Sequence, residues 1–116
     1  MEIESLQKFC LSLPAATEDI KWGNDLCFSV GEKMFCVISL EPPLKVAFKV
    51  KDEEFEELSN NDGFIPAPYM AKAKWVLVTD PTKLKKKEWE QYIHQSYELI
   101  KGKLTAKARK ELGIDR

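Results

Sequence analysis

The sequence has few of the residues from which catalytic and metal sites are usually built. Its 116 residues include one histidine, His94, and three cysteines, Cys10, Cys27 and Cys36, without a Cys-x-x-Cys pair. One imidazole and scattered thiols do not make a standard zinc site, and an odd cysteine count does not indicate a disulfide framework. We therefore predict no metal and no cofactor, and three reduced cysteines that pack as small buried side chains.

The sequence also lacks long hydrophobic runs and a strong net charge. No apolar stretch approaches the ~18 residues that a membrane span requires, and residues 1–5 do not begin a signal peptide. These features predict a cytoplasmic protein without a membrane partner. The net charge of −1, from 18 basic and 19 acidic residues, excludes a uniformly cationic nucleic-acid coat.

Arginine is scarce, and the charges are unevenly distributed. Only Arg109 and Arg116 are present, so the sequence is poorly equipped for the bidentate reading of guanine. Residues 1–69 carry a net charge of −7, whereas residues 70–116 carry +6. The basic surplus is compatible with ordinary solvated helix faces or with attraction of phosphate by lysine.

Helical spacing of apolar residues predicts helices at both ends of the chain. The first covers residues 3–13 and ends at Pro14, and the long one covers residues 86–101. A short helix over residues 53–58 follows a possible Asp52 cap, and Thr105 can cap a last helix over residues 106–112. The acidic residues 52–57 suit a helix N-terminus, with cation binding as a weaker alternative.

Alternating residues predict strands between these helices. The predicted strands cover residues 20–22, 26–30, 33–40, 44–50 and 74–79, and Gly31-Glu32 fits a two-residue hairpin loop. Residues 64–69 contain Pro66 and Pro68 and are predicted to form an irregular loop. The order predicts a single α+β domain over residues 1–116. Its architecture is a two-layer sandwich, with one twisted antiparallel sheet and helices packed on one face.

The clean alternation of residues 44–50 places one set of side chains on the face of the sheet away from the helices. Lys45 and Lys49 lie there if Leu44, Val46 and their alternate neighbours face the core. Other candidates reach the same face from a hairpin and from the proline-rich loop. The candidate groove for a nucleic acid or an anion comprises Lys33, Lys45, Lys49, Tyr69, Lys72, Lys74 and Trp75. The alternative interpretation places both Trp22 and Trp75 in the core.

Three blocks of sequence together resemble the MmcQ/YjbR family. The first runs from Pro14 and Glu18 through Lys21-Trp22-Gly23 to residues 28–35, the second covers residues 63–76, and the third contains Ser96-Tyr97-Glu98-Leu99 with Lys103-Leu104. The resemblance implies a CyaY-like α+β fold, and because several members are described as predicted DNA-binding proteins, it also implies DNA binding.

These observations lead to two hypotheses about function. The first is a non-catalytic DNA-binding domain that uses the lysine and aromatic groove. The alternative is a module that binds a small anionic ligand or another protein in the same groove. An enzyme is not predicted, because no triad, phosphate loop or pair of carboxylates that could act as general acid and base is visible.

Overall fold

The computed structural model describes residues 2–114. Within this range the chain forms four α-helices and six β-strands, connected in part by short 3₁₀ turns at residues 71–73 and 81–83. In chain order they are α1 (Ile3–Ser12), β1 (Thr17–Lys21), β2 (Asp25–Val30), β3 (Lys33–Ser39), β4 (Lys45–Lys49), α2 (Asp52–Ser59), β5 (Phe64–Pro66), β6 (Trp75–Val78), α3 (Lys86–Lys101) and α4 (Ala106–Glu111).

The six strands form one antiparallel sheet in the order β1-β2-β3-β4-β6-β5. The tight β2–β3 hairpin turns at Gly31 and Glu32, which have φ values of 57° and 68°. A side chain at Gly31 would also meet Leu104, whose side-chain atoms lie 2.7 Å from an ideal Cβ position. Glycine is therefore favoured here both by backbone conformation and by packing.

The helices cover one face of the sheet, as the sequence predicts. A cross-strand row on that face comprises Phe28, Cys36, Phe48 and Val76, all fully buried. Trp89 of α3 packs edge-on against Phe48, with ring centroids 6.2 Å apart. The α+β sandwich is confirmed, because strands that alternate apolar residues bury one face under amphipathic helices.

Two consecutive residues of α3 fasten this helix to the rest of the fold. The Ser96 hydroxyl donates to the Phe35 carbonyl at 2.6 Å and accepts from the Lys49 backbone N–H at 2.9 Å. Phe35 is the extra residue where the β2–β3 register shifts, so Ser96 bridges two backbone groups beside the bulge. The Tyr97 hydroxyl donates to the Pro14 carbonyl at 2.6 Å and thereby joins α3 to the end of α1.

Most predicted elements are present, and three details differ. The first strand covers Thr17–Lys21 rather than residues 20–22. Residues 64–66, predicted as irregular, form the edge strand β5, where Pro66 pairs with Val76. An outer strand needs no N–H on its free side, so proline is tolerated there. Lys51, not Asp52, is the N-cap of α2, and its backbone N–H donates to Glu54.

All three cysteines are reduced and buried, as predicted. Burial raises the pKa of Cys27. A hydrogen bond with the Cys10 thiol, together with burial, holds the pKa of Cys36 well above its usual value. Raised pKa values keep these groups as neutral thiols, which are poor nucleophiles.

Within residues 2–114, none of the helices is both long and apolar enough to cross a membrane. The acidic residues of α2 are not arranged with other carboxylates, thiols or imidazoles as a set of three or more metal ligands within residues 2–114.

Candidate functional site

The face of the sheet away from the helices contains a cavity of about 610 Å³. Strands β2, β3, β4 and β6 form its floor, and segments at residues 22 and 67–70 form its walls. This volume lies within the range of about 300–1,000 Å³ that is usual for small-molecule sites. We refer to it as the open-face cavity.

The floor of the open-face cavity is apolar. Its central row consists of Val37, Ala47 and Leu77, which are paired across β3, β4 and β6. Met34 and Met70 extend this apolar lining. Methionine side chains are flexible and polarisable, so they adapt to ligands of different shapes. The floor can therefore bind the flat or aliphatic body of a ligand.

Three polar side chains form the next cross-strand row at one end of the cavity. Asp25 pairs with Ser39, and Ser39 pairs with Lys45. Asp25 and Ser39 are half-buried, whereas Lys45 is exposed. Within residues 2–114, none of these three side chains has a hydrogen bond or an ion pair to another protein group. They are therefore available to a ligand that lies on the apolar floor.

Two exposed aromatic rings stand on the walls of the cavity. Trp22 is 70% exposed and Tyr69 is fully exposed. Both residues have a left-handed backbone, with φ values of 53° and 66°. This conformation is unfavourable for bulky residues, and such strain is concentrated at binding and catalytic sites. The interpretation of Trp22 as a core residue is therefore wrong, because its ring lies at the cavity wall.

The covering loop, residues 67–74, brings Tyr69 to the cavity. Two backbone hydrogen bonds connect it to Trp75 of β6. Ala67 N–H donates to the Trp75 carbonyl at 3.0 Å, and Trp75 N–H donates to the Met70 carbonyl at 3.3 Å. Lys49 of β4 also stabilises the loop, because its amine donates a hydrogen bond to the Ala73 carbonyl. Burial, with a smaller contribution from Lys103, lowers the pKa of Lys49.

The structure brings two of the seven candidate residues to the open-face cavity, Lys45 and Tyr69. Lys49 and Trp75 are only 8% and 4% exposed. The amine of Lys49 is bonded to the covering loop, and Trp75 belongs to the hydrophobic core, so its interpretation as a core residue is confirmed. The amine of Lys74 lies 5.1 Å from the centre of the Phe55 ring, on the side of α2. Lys33 and Lys72 are exposed but do not line the cavity. The cavity is thus mainly apolar and aromatic, with one lysine.

Sequence reasoning missed several residues of this cavity, although a signal for some of them was present. Residues two apart on a strand share a face, so the same alternation that places Lys45 on the open face also places Ser39 and Asp25 there once the register is known. Trp22 precedes a Gly-Asn turn signal, which is typical of an exposed position. The contribution of Met70 depends on the folding of the covering loop, for which the sequence has no comparable signal.

A second, smaller depression of about 250 Å³ lies where α3 meets α4. The charged groups that line it already contact other protein groups. Lys101 lies 3.5 Å from the Glu98 carboxylate, and Arg109 donates to the Leu104 carbonyl at 2.7 Å. These contacts are typical of basic side chains that stabilise the end of a helix, so the open-face cavity is the better candidate.

Comparison with known proteins identifies a family and structural neighbours. The YjbR family model matches residues 11–99. A crystal structure of a Deinococcus radiodurans protein with a DUF419 domain is 28% identical, covers 97% of this chain and 89% of its own, and superposes with a TM-score of 0.86. A structure of a Pseudomonas syringae protein, 19% identical, covers 86% of this chain and 99% of its own with a TM-score of 0.70, and shares the fold. No curated protein matches.

Proposed function

The chain belongs to the YjbR family, and from this premise we propose that it is a non-catalytic binding domain for a small organic anion. The ligand occupies the open-face cavity. Its flat or aliphatic body lies on the apolar floor between Trp22 and Tyr69, and its anionic group meets Lys45.

One observation carries the proposal: a cavity with an apolar floor contains two exposed rings and a lysine that has no partner within the described residues. Exposed tryptophan and tyrosine rings on strained backbone are unfavourable for the free protein, and a ligand would compensate by covering them. Binding sites usually combine such an apolar surface with a few polar groups that fix orientation.

The titratable side chains at the cavity favour binding over catalysis. Among its described lining residues there is no histidine or cysteine, and Asp25, Lys45 and Tyr69 are the groups that can ionise. His94 is exposed on α3, which packs on the opposite face of the sheet, and its ring stacks near Tyr97. Ser39 lies between Asp25 and Lys45 in the polar row, but within residues 2–114 its hydroxyl has no hydrogen bond to either side chain, so the lining does not join a nucleophile to an activating base.

The proposal is tested by titration of isotope-labelled protein, monitored by NMR. The probes are indole-3-propionate, 3-phenylpropionate and octanoate, each compared with its neutral amide. We expect the carboxylates to shift the amide signals of Val37, Ala47 and Leu77, and to bind up to about fivefold more tightly than the amides because of Lys45. The variant Lys45→Met should remove this difference.

Lys33→Met is the matched control, because Lys33 is exposed on β3 but does not line the cavity. It should bind all six probes as the wild-type protein does. The proposal is wrong if none of the three carboxylates shifts the floor signals at ~1 mM, the concentration range of weak binding. Equal binding of acids and amides would exclude the role of Lys45.

A nucleic acid is the second candidate, and the two exposed rings are the observation that favours it. Unpaired bases stack on exposed aromatic rings, and Lys45 lies in the same cavity to meet a phosphate. DNA binding thus stays a prediction, with single-stranded DNA better suited to these rings than a duplex.

Fluorescence anisotropy with labelled single-stranded and duplex DNA at several salt concentrations tests this candidate. If DNA binds here, affinity should fall as salt rises, because lysines displace counterions from phosphate. Trp22→Ala should weaken binding of the single strand. Absence of binding below about 100 μM DNA at low salt, where phosphate contacts are strongest, would eliminate the candidate.

A further inference from the structure

The polar row of the open-face cavity carries charges of both signs. Lys45 supplies a cation, as the proposed function requires, but Asp25 supplies a carboxylate that an anionic ligand alone would not use. Residue Asp25 is half-buried, and its carboxylate has no hydrogen bond or ion pair to another group within residues 2–114. The carboxylate is therefore available to a positively charged group of a ligand in the cavity.

No basic side chain within residues 2–114 forms an ion pair with Asp25. Lys21 is its register partner on the edge strand β1, but the two side chains do not form an ion pair of 4 Å or less. Lys45 lies two strands away from Asp25, with Ser39 between them. Adjacent strands are ~4.8 Å apart, so the two strands are separated by ~9.6 Å. This distance leaves room above Ser39 for a small group that carries a positive charge towards Asp25 and a negative charge towards Lys45.

We propose that the ligand of the open-face cavity is an amino acid with an apolar side chain. Its α-carboxylate meets Lys45, its α-ammonium group meets Asp25, and its side chain lies on Val37, Ala47 and Leu77 between Trp22 and Tyr69. The inference rests on the proposed function. It keeps the carboxylate of the proposed ligand and adds an ammonium group, so that the ligand is a zwitterion. Lys45 and Asp25 supply one group of opposite charge for the α-carboxylate and one for the α-ammonium group. The apolar floor begins at the next cross-strand row, where the side chain of the ligand would lie.

The test compares three ligands that share the indole ring. L-tryptophan has both charges, indole-3-propionate lacks the ammonium group, and tryptamine lacks the carboxylate. We expect wild-type protein to bind L-tryptophan about fivefold more tightly than indole-3-propionate, the upper range for a solvent-accessible ion pair. Asp25→Asn should remove this advantage and leave the affinity for indole-3-propionate unchanged or increased. Isothermal titration calorimetry measures all affinities, and NMR shifts locate each ligand.

The outcomes separate this inference from the proposed function. If indole-3-propionate binds in the cavity and L-tryptophan binds no better, the zwitterion is excluded and the anion site remains. If neither ligand binds, the zwitterion is excluded, and the titration with 3-phenylpropionate and octanoate decides whether the anion site remains. Asp19→Asn is the matched control, because Asp19 is an exposed acid on the neighbouring strand β1 and does not line the cavity. A loss of the tryptophan advantage in this variant as well would assign it to general surface charge and overturn the role of Asp25.

Discussion

Trp22 and Tyr69 are expected to lower the stability of the fold, because each combines a left-handed backbone with an exposed ring. A left-handed backbone costs a residue with a Cβ roughly 1–2 kcal/mol, and asparagine tolerates it better than most residues. Both rings are exposed, so little burial offsets this cost in the free protein. In the proposed complex, the ligand covers both rings.

Replacement of Tyr69 should therefore separate stability from binding. For Tyr69→Asn we expect a free energy of unfolding that is unchanged or up to about 1 kcal/mol higher, because the backbone conformation is kept with less strain. Affinity for the carboxylate that binds the wild-type protein best should fall about 3- to 10-fold, since the aromatic contact is lost. Urea unfolding and calorimetric titration measure the two effects.

Glu32→Asn provides the control for this experiment. Glu32 also has a left-handed backbone, with φ of 68°, but it lies in the β2–β3 hairpin and does not line the cavity. It should show the same direction of stability change with unaltered affinity. If Tyr69→Asn binds the probe as tightly as the wild-type protein, the Tyr69 ring is not part of the site.

Ser96, in contrast, stabilises the fold through hydrogen bonds inside the protein. It is fully buried, and its hydroxyl donates to the Phe35 carbonyl and accepts from the Lys49 N–H. Ser96→Ala leaves both backbone groups without this partner, and an unsatisfied buried group costs about 1–3 kcal/mol. We expect a loss of about 2–4 kcal/mol in the free energy of unfolding, measured by urea denaturation.

Ser5→Ala is the comparison for this substitution, because Ser5 is exposed on α1. It should change stability by no more than about 0.5 kcal/mol. A Ser96→Ala variant as stable as Ser5→Ala would mean that water or a backbone shift replaces the hydroxyl. The bridge beside the β-bulge would then have no energetic importance.

The helices and strands differ in how well the sequence predicts them, and the reason is the range of the interactions that form them. Helix α3 occupies residues 86–101 as predicted, because its apolar spacing is a local signal. The edge strand β5 was missed, because its formation depends on pairing with β6 across the covering loop. The alternation of β4 correctly assigned Lys45 to the open face, but it gave no sign that Lys49 lies under that loop.

The turn before α3 depends on a carboxylate that titrates. Asp80 accepts hydrogen bonds from the Thr82 hydroxyl at 2.6 Å and the Thr82 backbone N–H at 3.0 Å. The hydroxyl bond, followed by the backbone bond, lowers the pKa of Asp80. A lowered pKa in the folded state means that Asp80 stabilises the protein above the ordinary aspartate pKa. This stabilisation is lost as the pH falls through the lowered value.

Asp80→Ala should therefore lower stability at neutral pH, and its difference from the wild-type protein should shrink as the pH falls below the pKa of the native carboxyl group. Urea unfolding of both proteins over a series of decreasing pH values measures this convergence. Thr82→Ser keeps the hydroxyl and should follow the wild-type profile. A stability difference that stays constant down to the lowest pH would show that the charge of Asp80 is not responsible.

In the molecule as a whole, the two faces of the sheet have different roles. The face under α1 and α3 contains the fully buried row of Phe28, Cys36, Phe48 and Val76. On the other face, Val37, Ala47 and Leu77 lie beneath a cavity. Complete burial of this row stabilises the fold, whereas the floor of the open face adjoins the space that the proposed ligand would occupy.

The same substitution on each face of the sheet tests this division. Val46 is fully buried on the helical face, and Val37 lies on the cavity floor. Valine and threonine have similar shapes, but threonine adds a hydroxyl that needs a partner. Val46→Thr should lower the free energy of unfolding by about 1–3 kcal/mol, because its hydroxyl is enclosed by apolar groups.

Val37→Thr should lower stability less, by about 0.5–1 kcal/mol, because Val37, although only 9% exposed, lines the open-face cavity, where its hydroxyl can meet water. It should also weaken binding of the apolar body of octanoate, whose contact with the floor now requires the hydroxyl to lose that water. Urea denaturation and the NMR titration measure the two effects. Equal losses of stability in both variants would mean that the open face is as much a part of the core as the helical face, and the cavity could not then be a free binding surface.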